Sequence, residues 1–373
     1  MIILIKLKRR LLILLSVVFL LSCAIGVGLY IKSSKDPTVA VTNNTQDIVT
    51  NKINRIFKIR TKALLENNKK RLANLYNRKT KTGIWAYEHE LKRMNYLHQW
   101  ATKQGVKFKA IKPQIVIKRI KKKNEDITVN LTVSTEYKYA YQNAPQQVNS
   151  FRTGTYHSLD LENYKKELSI TKEWYRDPLA SSLSLTKIEK IRQLILAKKP
   201  KDLSTLNQRR VKAIKYVDQY CGAASPPKYG FNYNSKYKNY NYQGGDCANF
   251  ASQMLYEGAG FRKNRIWNYR QGKGTRAWLN AKAFNSYMLN SGRASLIARG
   301  SYSKVLKTSY KLLPGDYIAY EKKGEVAHIS VVSGIDSKGY ILVNSHNADR
   351  HRVPWDLGWS NKGVKFWLVH VNY

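Results

Sequence analysis

A change in the spacing of the apolar residues constrains the fold of this chain more than any other feature. Apolar residues recur at helical spacing from residue 53, and Leu91, Met94 and Leu97 share one face of a segment from Ala86 to Thr102. Residues 127–133 then alternate between apolar and polar side chains, which is the pattern of a half-buried strand. Helices followed by strands predict an α+β fold with an antiparallel sheet.

The chain divides into two folded regions in this interpretation. Residues 51–180 form the first α+β domain, and residues 181–206 form a helical linker. Residues 207–373 form a second domain, which begins with a helix over Asn207–Tyr220 and ends with strands over Tyr317–His346.

The N-terminus carries an apolar run from Leu11 to Ile31 that follows several basic residues. About 20 apolar residues span a bilayer, and basic residues keep their end of such a helix in the cytoplasm. We therefore expect a cytoplasmic tail at 1–10, a transmembrane anchor at 11–31 and a polar stalk at 32–50. Cys23 fits a lipoprotein acylation box poorly, and we interpret it as an anchor residue. The predicted location is a single-pass protein of the cell membrane with extracellular domains.

The charge of the chain predicts an affinity for polyanions. It has 66 Lys and Arg residues against 24 Asp and Glu residues, a formal net charge of +42. Nucleic acid, anionic lipid head groups and anionic cell-wall polymers are candidate partners for such a chain. The basic residues are spread along the whole chain, and no helix-turn-helix, zinc-finger or RNP motif is present. No specific nucleic acid is therefore expected.

A cysteine at the start of a predicted helix is the strongest candidate for chemistry. Gly244 and Gly245 end a loop, Asp246 suits an N-cap, and Cys247 falls in the first helical turn. The helix dipole and a basic partner would lower the thiol pKa to roughly 3.5–7.5. Such a thiolate is a nucleophile, whereas the alternative is a buried structural cysteine.

Histidines in the last strands are candidates for the base. If Gly334 pairs with Gly339 across a hairpin, His328 faces residue 345, and a shift of one places it opposite Asn344 or His346. His328 would then accept the thiol proton, and the third residue would hold the imidazole.

Two other arrangements of these residues are open. His328, His346, His351 and Cys247 could bind zinc, although none has a close ligand spacing. A disulfide from Cys221 to Cys247 would abolish the nucleophile, but we interpret Cys221 as a packed helix-end residue. No metal or cofactor is predicted.

Four motifs of the second domain are found at Asp246–Gln253, Pro314–Asp316, Ala327–Gly334 and His346–Asp349. Together they resemble the putative amidase domain of Gram-positive bacteria, over roughly residues 207–373. That family is similar to the NlpC/P60 and CHAP cysteine peptidases. The resemblance implies a papain-like (NlpC/P60-type) α+β catalytic domain with an antiparallel sheet, and hydrolysis of amide bonds in peptidoglycan peptides without a cofactor.

The resemblance also implies the roles of individual residues. Cys247 matches the nucleophile, His328 the general base and His346 the polar third residue, for which Asn344 is the rival. Asp246 matches the acid before the cysteine, where its backbone contributes to the oxyanion site.

The first domain has motifs of its own at His89–Glu90, Asn149–Phe151, His157–Leu159 and Trp174–Leu179. They resemble the accessory domain that precedes this amidase domain in clostridial and bacillar proteins. This resemblance implies a cystatin/NTF2-like fold for residues 51–180.

The expected function is a membrane-anchored, outward-facing cysteine amidohydrolase that acts on peptidoglycan. Two alternatives stay open: a catalytically inactive envelope-binding protein that retains the fold, and a basic extracellular binder of polyanions or nucleic acid. The aromatic residues of 229–242 and 355–367 are interpreted mainly as core and loop packing, although they could line a substrate groove.

Overall fold

The computed structural model describes residues 43–123, 126–164, 167–179, 187–359 and 363–373. The predicted tail, the predicted anchor and most of the predicted stalk lie outside these residues. Within the described ranges, no helix has both the length and the apolar character that crossing a bilayer requires. This finding corrects the predicted fold class and the predicted single-pass location, both of which included a transmembrane helix.

The N-terminal region consists of three helices followed by four strands. The helices are α1 (Asn43–Glu66), α2 (Lys69–Ala73) and α3 (Lys81–Gln104). The strands are β1 (Val106–Lys123), β2 (Asp126–Tyr141), β3 (Ala144–Tyr164) and β4 (Glu167–Tyr175). The order of helices and then strands agrees with the sequence prediction, although α1 begins inside the segment predicted as a stalk.

Local sequence explains the length of α3. The Thr80 side chain accepts a hydrogen bond from the Gly83 N–H at the start of the helix. At its end Gly105 adopts a left-handed conformation with φ of 71°. Between these caps, Met94, Leu97 and Trp100 are buried against the sheet, which anchors the helix by its apolar face.

The C-terminal region alternates helices with short strands. The helices are α4 (Ile188–Leu196), α5 (Gln208–Gln219), α6 (Cys247–Gln253), α7 (Arg276–Leu279), α8 (Ala281–Asn290) and α9 (Tyr302–Ser309). The strands are β5 (Tyr269–Arg270), β6 (Lys273–Gly274), β7 (Ala294–Gly300), β8 (Tyr317–Lys322), β9 (Glu325–Ile335), β10 (Ile341–Ser345), β11 (Asp349–Pro354) and β12 (Val364–Val371). The predicted helix over Asn207–Tyr220 and the predicted terminal strands are present.

One sheet of ten strands runs through both regions of the chain. Its order is β1-β2-β3-β11-β10-β9-β8-β12-β7, and β4 pairs with the part of β3 that β11 leaves free. All its pairings are antiparallel. The fold is therefore α+β with a large antiparallel sheet, while the predicted domain boundaries stay a prediction.

The two faces of the C-terminal strands belong to two different cores. Tyr317 and Ala319 pack with α5, α6 and α8, whereas Ile318 and Tyr320 pack with α9 and the N-terminal region. This separation follows from the alternation of side chains along a strand. Each side chain near the site can thus be assigned to one face.

A buried ion pair joins the two regions on the second of these faces. Lys103 Nζ lies 2.7 Å from Asp356 Oδ2, and both side chains are fully buried. Burial lowers the pKa of Lys103, and the Asp356 carboxylate offsets part of this shift. Trp100 donates to the same carboxylate at 3.3 Å, so the end of α3 is fixed to the segment after β11.

Close packing at the junction yields the first prediction. A Cβ on Gly154 of β3 would stand 2.5 Å from the backbone of Ala223. Gly154→Ala should therefore lower the free energy of unfolding by about 1–3 kcal/mol, the usual cost of overpacking. Urea denaturation followed by circular dichroism measures it.

The matched control for this variant is Gly334→Ala on β9. A Cβ there would meet only a guanidinium nitrogen of Arg352, at 4.0 Å, and stability should change by no more than about 0.5 kcal/mol. Equal stability of the two variants would contradict the tight junction.

Candidate functional site

Cys247 is the first residue of α6, as the sequence predicted. The two glycines before it adopt positive φ, 97° for Gly244 and 134° for Gly245, a conformation that favours glycine. Asp246 holds the N-cap position, but its side chain makes no hydrogen bond to the helix backbone.

The Cys247 thiol is buried rather than activated in this structure. Burial raises its pKa to about 11, although backbone N–H groups of Ile329 and Ala248 donate to it and act in the opposite direction. The sequence predicted a lowered pKa from the helix dipole and a basic partner. Desolvation outweighs the dipole here because the side chain is almost fully covered.

His328 lies on β9 next to Ile329, the residue whose N–H contacts the thiol. Its Nε2 is buried and has no hydrogen-bond partner. The ring stacks on Trp359 with centroids 5.0 Å apart and lies 5.5 Å from the ring of Tyr320. Burial lowers the pKa of His328 well below its usual value, and the charges of Arg350, Lys322 and Arg176 lower it further. The imidazole is therefore neutral at neutral pH.

Cys247 and His328 are linked through Ile329: the Cys247 thiol contacts the backbone N–H of Ile329, the residue that follows His328. In the described part of the chain, however, no hydrogen bond joins the thiol to the imidazole. Ile329 and Val331 pack in the same core as Cys247, whereas His328 alternates to the face of Tyr320.

His346 is engaged with Asp246 instead of His328. Its Nδ1 lies 2.6 Å from Asp246 Oδ2, and its Nε2 lies 2.7 Å from the Tyr220 carbonyl oxygen. The ring also stacks on Phe250 with centroids 3.9 Å apart. Burial opposes protonation, but the hydrogen bond and charge of Asp246 outweigh it and raise the pKa of His346. When the ring is protonated, it donates one N–H to Asp246 and the other to the Tyr220 carbonyl oxygen.

Asp246 organises the loop around the cysteine. Its Oδ1 accepts from the Tyr240 N–H at 3.0 Å and from the Asn249 side chain at 2.7 Å. Its own N–H donates to the Asn347 side chain. The N–H predicted to serve an oxyanion site is thus occupied in this structure.

The predicted hairpin register is wrong. Ile335 pairs with Ile341 and Val331 with Asn344, so β10 ends before it could reach His328. The turn is longer than predicted because the Asp336 side chain accepts from the N–H groups of Lys338 and Tyr340.

Asn344 and His351 serve other contacts. The Asn344 side chain donates to the Val217 carbonyl at 2.9 Å and to Asp218 at 3.1 Å, which ties α5 to the sheet. His351 Nε2 lies 3.2 Å from Asp218. The catalytic assignments of Cys247, His328, His346 and Asp246 stay predictions.

The other arrangements weighed from the sequence can also be compared with the structure. Cys221 and Cys247 are both free and buried, so they do not form a disulfide. Within the described ranges, no three His, Cys, Asp or Glu side chains are placed to hold a metal ion.

A cleft of about 330 Å³ lies beside His328. Arg176, Lys322, Arg350 and Trp359 line it together with His328. Sequence reasoning missed these four residues as parts of a site. Trp359 falls in the aromatic stretch 355–367, but spacing alone cannot distinguish a ring on a cleft wall from a ring in a core.

Comparison with known proteins finds a family match in the C-terminal region. Residues 207–369 match the family model described as a putative amidase domain. This match supports the resemblance inferred from the motifs. It does not confirm the finer likeness to NlpC/P60 or CHAP peptidases with a papain-like core.

Two relatives come from Bacillus subtilis (strain 168), and both are described as uncharacterized. YjcM is 30% identical over 178 residues, which cover 44% of this chain and 40% of the relative. YhbB is 25% identical over 153 residues, which cover 39% of this chain and 43% of the relative. The chain therefore spans less than half the length of either relative.

Two solved structures have a weak likeness to the chain. One is the intermembrane space region of the chloroplast protein ARC6, at 10% identity and a TM-score of 0.26, covering 37% of this chain and 98% of that one. The other is an NTF-2 like protein of unknown function from Shewanella oneidensis MR-1, at 14% identity and a TM-score of 0.21, covering 34% and 98%. TM-scores this low do not establish a shared fold, and the cystatin/NTF2-like fold stays a prediction.

The Asp246–His346 pair predicts a pH-dependent stability. The pKa of His346 is raised in the folded state, so the pair stabilises most below the ordinary value of 6.5 and loses this effect as pH rises through the folded pKa. Asp246→Asn should cost about 3–5 kcal/mol at about pH 5.5, the cost of breaking a buried pair, and less at about pH 9.

Urea denaturation at both pH values measures this difference. The control is Glu325→Gln, which removes an exposed carboxylate that pairs only with Lys282 at the surface. It should cost less than about 1 kcal/mol at either pH. An equal cost of Asp246→Asn at both pH values would mean that His346 is neutral.

The raised thiol pKa predicts slow alkylation of the native protein. Because the thiolate is the reactive form, the rate at which iodoacetamide modifies Cys247 should increase about tenfold for each unit that the pH rises, up to about pH 11. Burial raises the pKa of Cys221 further, so Cys221 should react more slowly throughout. Mass spectrometry of the modified peptides measures both rates. A rate at Cys247 that is independent of pH near neutrality would instead indicate a thiolate–imidazolium pair.

Proposed function

We propose that this protein is a cysteine amidohydrolase that cleaves amide bonds in the peptides of peptidoglycan. The observation that carries the proposal is the position of Cys247 at the first turn of α6. Its thiol accepts a hydrogen bond from the N–H of Ile329, next to His328, whose buried Nε2 has no partner. A nucleophile and a neutral base on adjacent elements match the requirements of acyl transfer.

The reaction begins with a neutral thiol and a neutral imidazole. His328 accepts the thiol proton while Cys247 Sγ attacks the substrate carbonyl carbon, which gives a tetrahedral intermediate and an imidazolium. Collapse of the intermediate breaks the C–N bond, and the imidazolium donates its proton to the leaving amine. Water then attacks the thioester with His328 again as the base, which releases the acid and the thiol.

Trp359 and the neighbouring cations favour the neutral form of His328 before attack. The Trp359 ring covers one face of the imidazole, and Arg350 is the largest of the charges that oppose its protonation. A neutral imidazole is the form that can accept a proton, but the raised pKa of Cys247 and the lowered pKa of His328 both oppose the transfer in the resting state. Active-site hydrogen bonds are often long before substrate binds, and this proposal requires the imidazole to reach the thiol from the other face of β9 during the reaction.

Peptidoglycan as substrate is supported by composition and by the source of the relatives. A formal net charge of +42 favours association with anionic cell-wall polymers, and both relatives named above come from a bacterium. His346 and Asp246 act in this proposal by holding the loop before Cys247 in place, since the two side chains bond to each other.

A non-catalytic binder of the cell envelope is the second candidate. The raised pKa of Cys247 favours this candidate, because a thiol with the ordinary cysteine pKa would form more of the nucleophilic thiolate. Under this alternative the fold and its basic surface bind the polymer, and the cysteine is part of the core.

Digestion of purified peptidoglycan by the full chain tests the proposal. The wild type should release soluble fragments, and Cys247→Ala should slow their release by about 10³-fold or more, as expected for loss of a nucleophile. Mass spectrometry of the fragments identifies the bond that is cut.

Cys221→Ala is the matched control because this cysteine is equally buried but lies at the end of α5. It should retain the wild-type rate. Release by Cys247→Ala at the wild-type rate would contradict the cysteine mechanism, and no release by the wild type would favour the non-catalytic binder.

A further inference from the structure

The cleft beside His328 has walls from both regions of the chain. Lys322 and Trp359 come from the C-terminal region. Another part of the lining is the segment Arg176–Pro178, which directly follows β4 of the N-terminal region. This segment belongs to the motif Trp174–Leu179, to which the proposed reaction assigns no role.

The segment is held firmly against the C-terminal region. Arg350 donates to the Pro178 carbonyl oxygen at 2.6 Å. Gly358 approaches the same oxygen so closely that a Cβ would stand 2.3 Å from it. Asp177 accepts from the Leu179 N–H at 2.8 Å and lies 3.7 Å from the guanidinium of Arg93. The wall is thus fixed by the fold and does not depend on a ligand.

The cations of the cleft are not neutralised by protein carboxylates. Arg176 and Lys322 are exposed, and the structure gives neither of them an ion pair within the described residues. Lys322 Nζ lies 4.7 Å from the centre of the Trp359 ring. Arg350 directs its hydrogen bonds to carbonyl oxygens of the backbone.

Asp177 is the carboxylate of the wall; its charge acts on Arg350, and its ion pairs are with side chains of α3. Its side chain is 1% exposed and lies 3.7 Å from both Arg93 and His89 of α3. The described lining of the cleft therefore keeps an excess of positive charge. It also contains buried polar atoms without partners, Trp359 Nε1 and His328 Nε2, which indicates that a polar ligand completes it.

We propose that Arg176 and Lys322, which both line this cleft, bind a carboxylate of the substrate there. The N-terminal region thereby sets the specificity of the C-terminal one. This inference rests on the proposed function for the nature of the substrate, a peptide with an amide beside an anionic group. Arg176 is a binding residue in it, and its charge also lowers the pKa of His328.

Kinetics with matched substrates test the role of Arg176. The substrates are muropeptides with free carboxylates and the same muropeptides after carbodiimide coupling to ammonia, which converts carboxylates to carboxamides. The wild type should prefer the acids, and Arg176→Gln should raise KM for the acids by about 10- to 100-fold, the range for a hydrogen bond to a charged group. Its KM for the amides should stay within about twofold of the wild type, and its kcat should change equally for acids and amides, because the charge of Arg176 also lowers the pKa of His328.

Lys172→Gln is the matched control, because Lys172 is an exposed cation on β4 that does not line the cleft. It should behave as the wild type with both substrates. Equal kcat/KM of the wild type for acids and amides would overturn the inference while leaving the proposed function intact.

Binding to Cys247→Ala, measured by calorimetry, separates the inference from catalysis. This variant should bind the acid muropeptides more tightly than the amides, and Cys247→Ala with Arg176→Gln should lose the preference. A preference would support the inference even where the wild type cleaves nothing. Equal binding of both forms, or binding of neither, would overturn it. Thermal unfolding of Arg176→Gln should match the wild type, because the Arg176 side chain is exposed and has no hydrogen bond or ion pair within the described residues.

Discussion

The antiparallel pairing of β3 with β11 is the interaction on which the arrangement of this protein depends. Thr153 lies opposite Arg350 and Gly154 opposite Asp349 in this short ladder. Because side chains alternate along a strand, the ladder directs Asp349 and Arg350 to opposite faces. Asp349 accepts from the Ala223 N–H, whereas Arg350 reaches the wall of the cleft. A slip of one residue would exchange the two faces and place a buried cation where a carboxylate is needed.

The charged groups near the site have two different roles. The pair of Asp246 and His346 uses both ring nitrogens and several backbone groups, so it fixes the loop before the cysteine. A buried pair of this kind contributes little net stability, since desolvation offsets most of the attraction. What it supplies is a fixed position for the loop before the cysteine.

His328 has the opposite environment, with cations nearby and a buried nitrogen that lacks a partner. Such an environment disfavours the folded state unless a ligand or a reaction uses the free nitrogen, which makes His328 the better candidate for chemistry.

Much of the fold could be predicted from the sequence, and the site only in part. Helical and strand periods located most elements of both regions, and the two glycines before Cys247 located the start of α6. The hairpin register could not be obtained, because it depends on how the Asp336 side chain closes the turn. The partners of His346 were missed for a similar reason. Its hydrogen bonds join residues that are 100 and 126 positions apart in the sequence. The spacing of neighbouring residues cannot predict such distant contacts. The direction of the Cys247 pKa was also missed, since burial is a property of the assembled core.

The region that matches the amidase family is not structurally complete by itself in this chain. Residues 207–369 alone would leave β11 as an open edge with unpaired backbone groups, because its partner on that side is β3. Arg350 would lose the Pro178 carbonyl oxygen, and the cleft would lose the wall that contains Arg176. The buried carboxylate of Asp356 would also lose its ion pair with Lys103. Each of these losses falls on the face that holds His328 and Trp359. The N-terminal region is therefore part of the site's structure, and the cleft is a property of the whole chain.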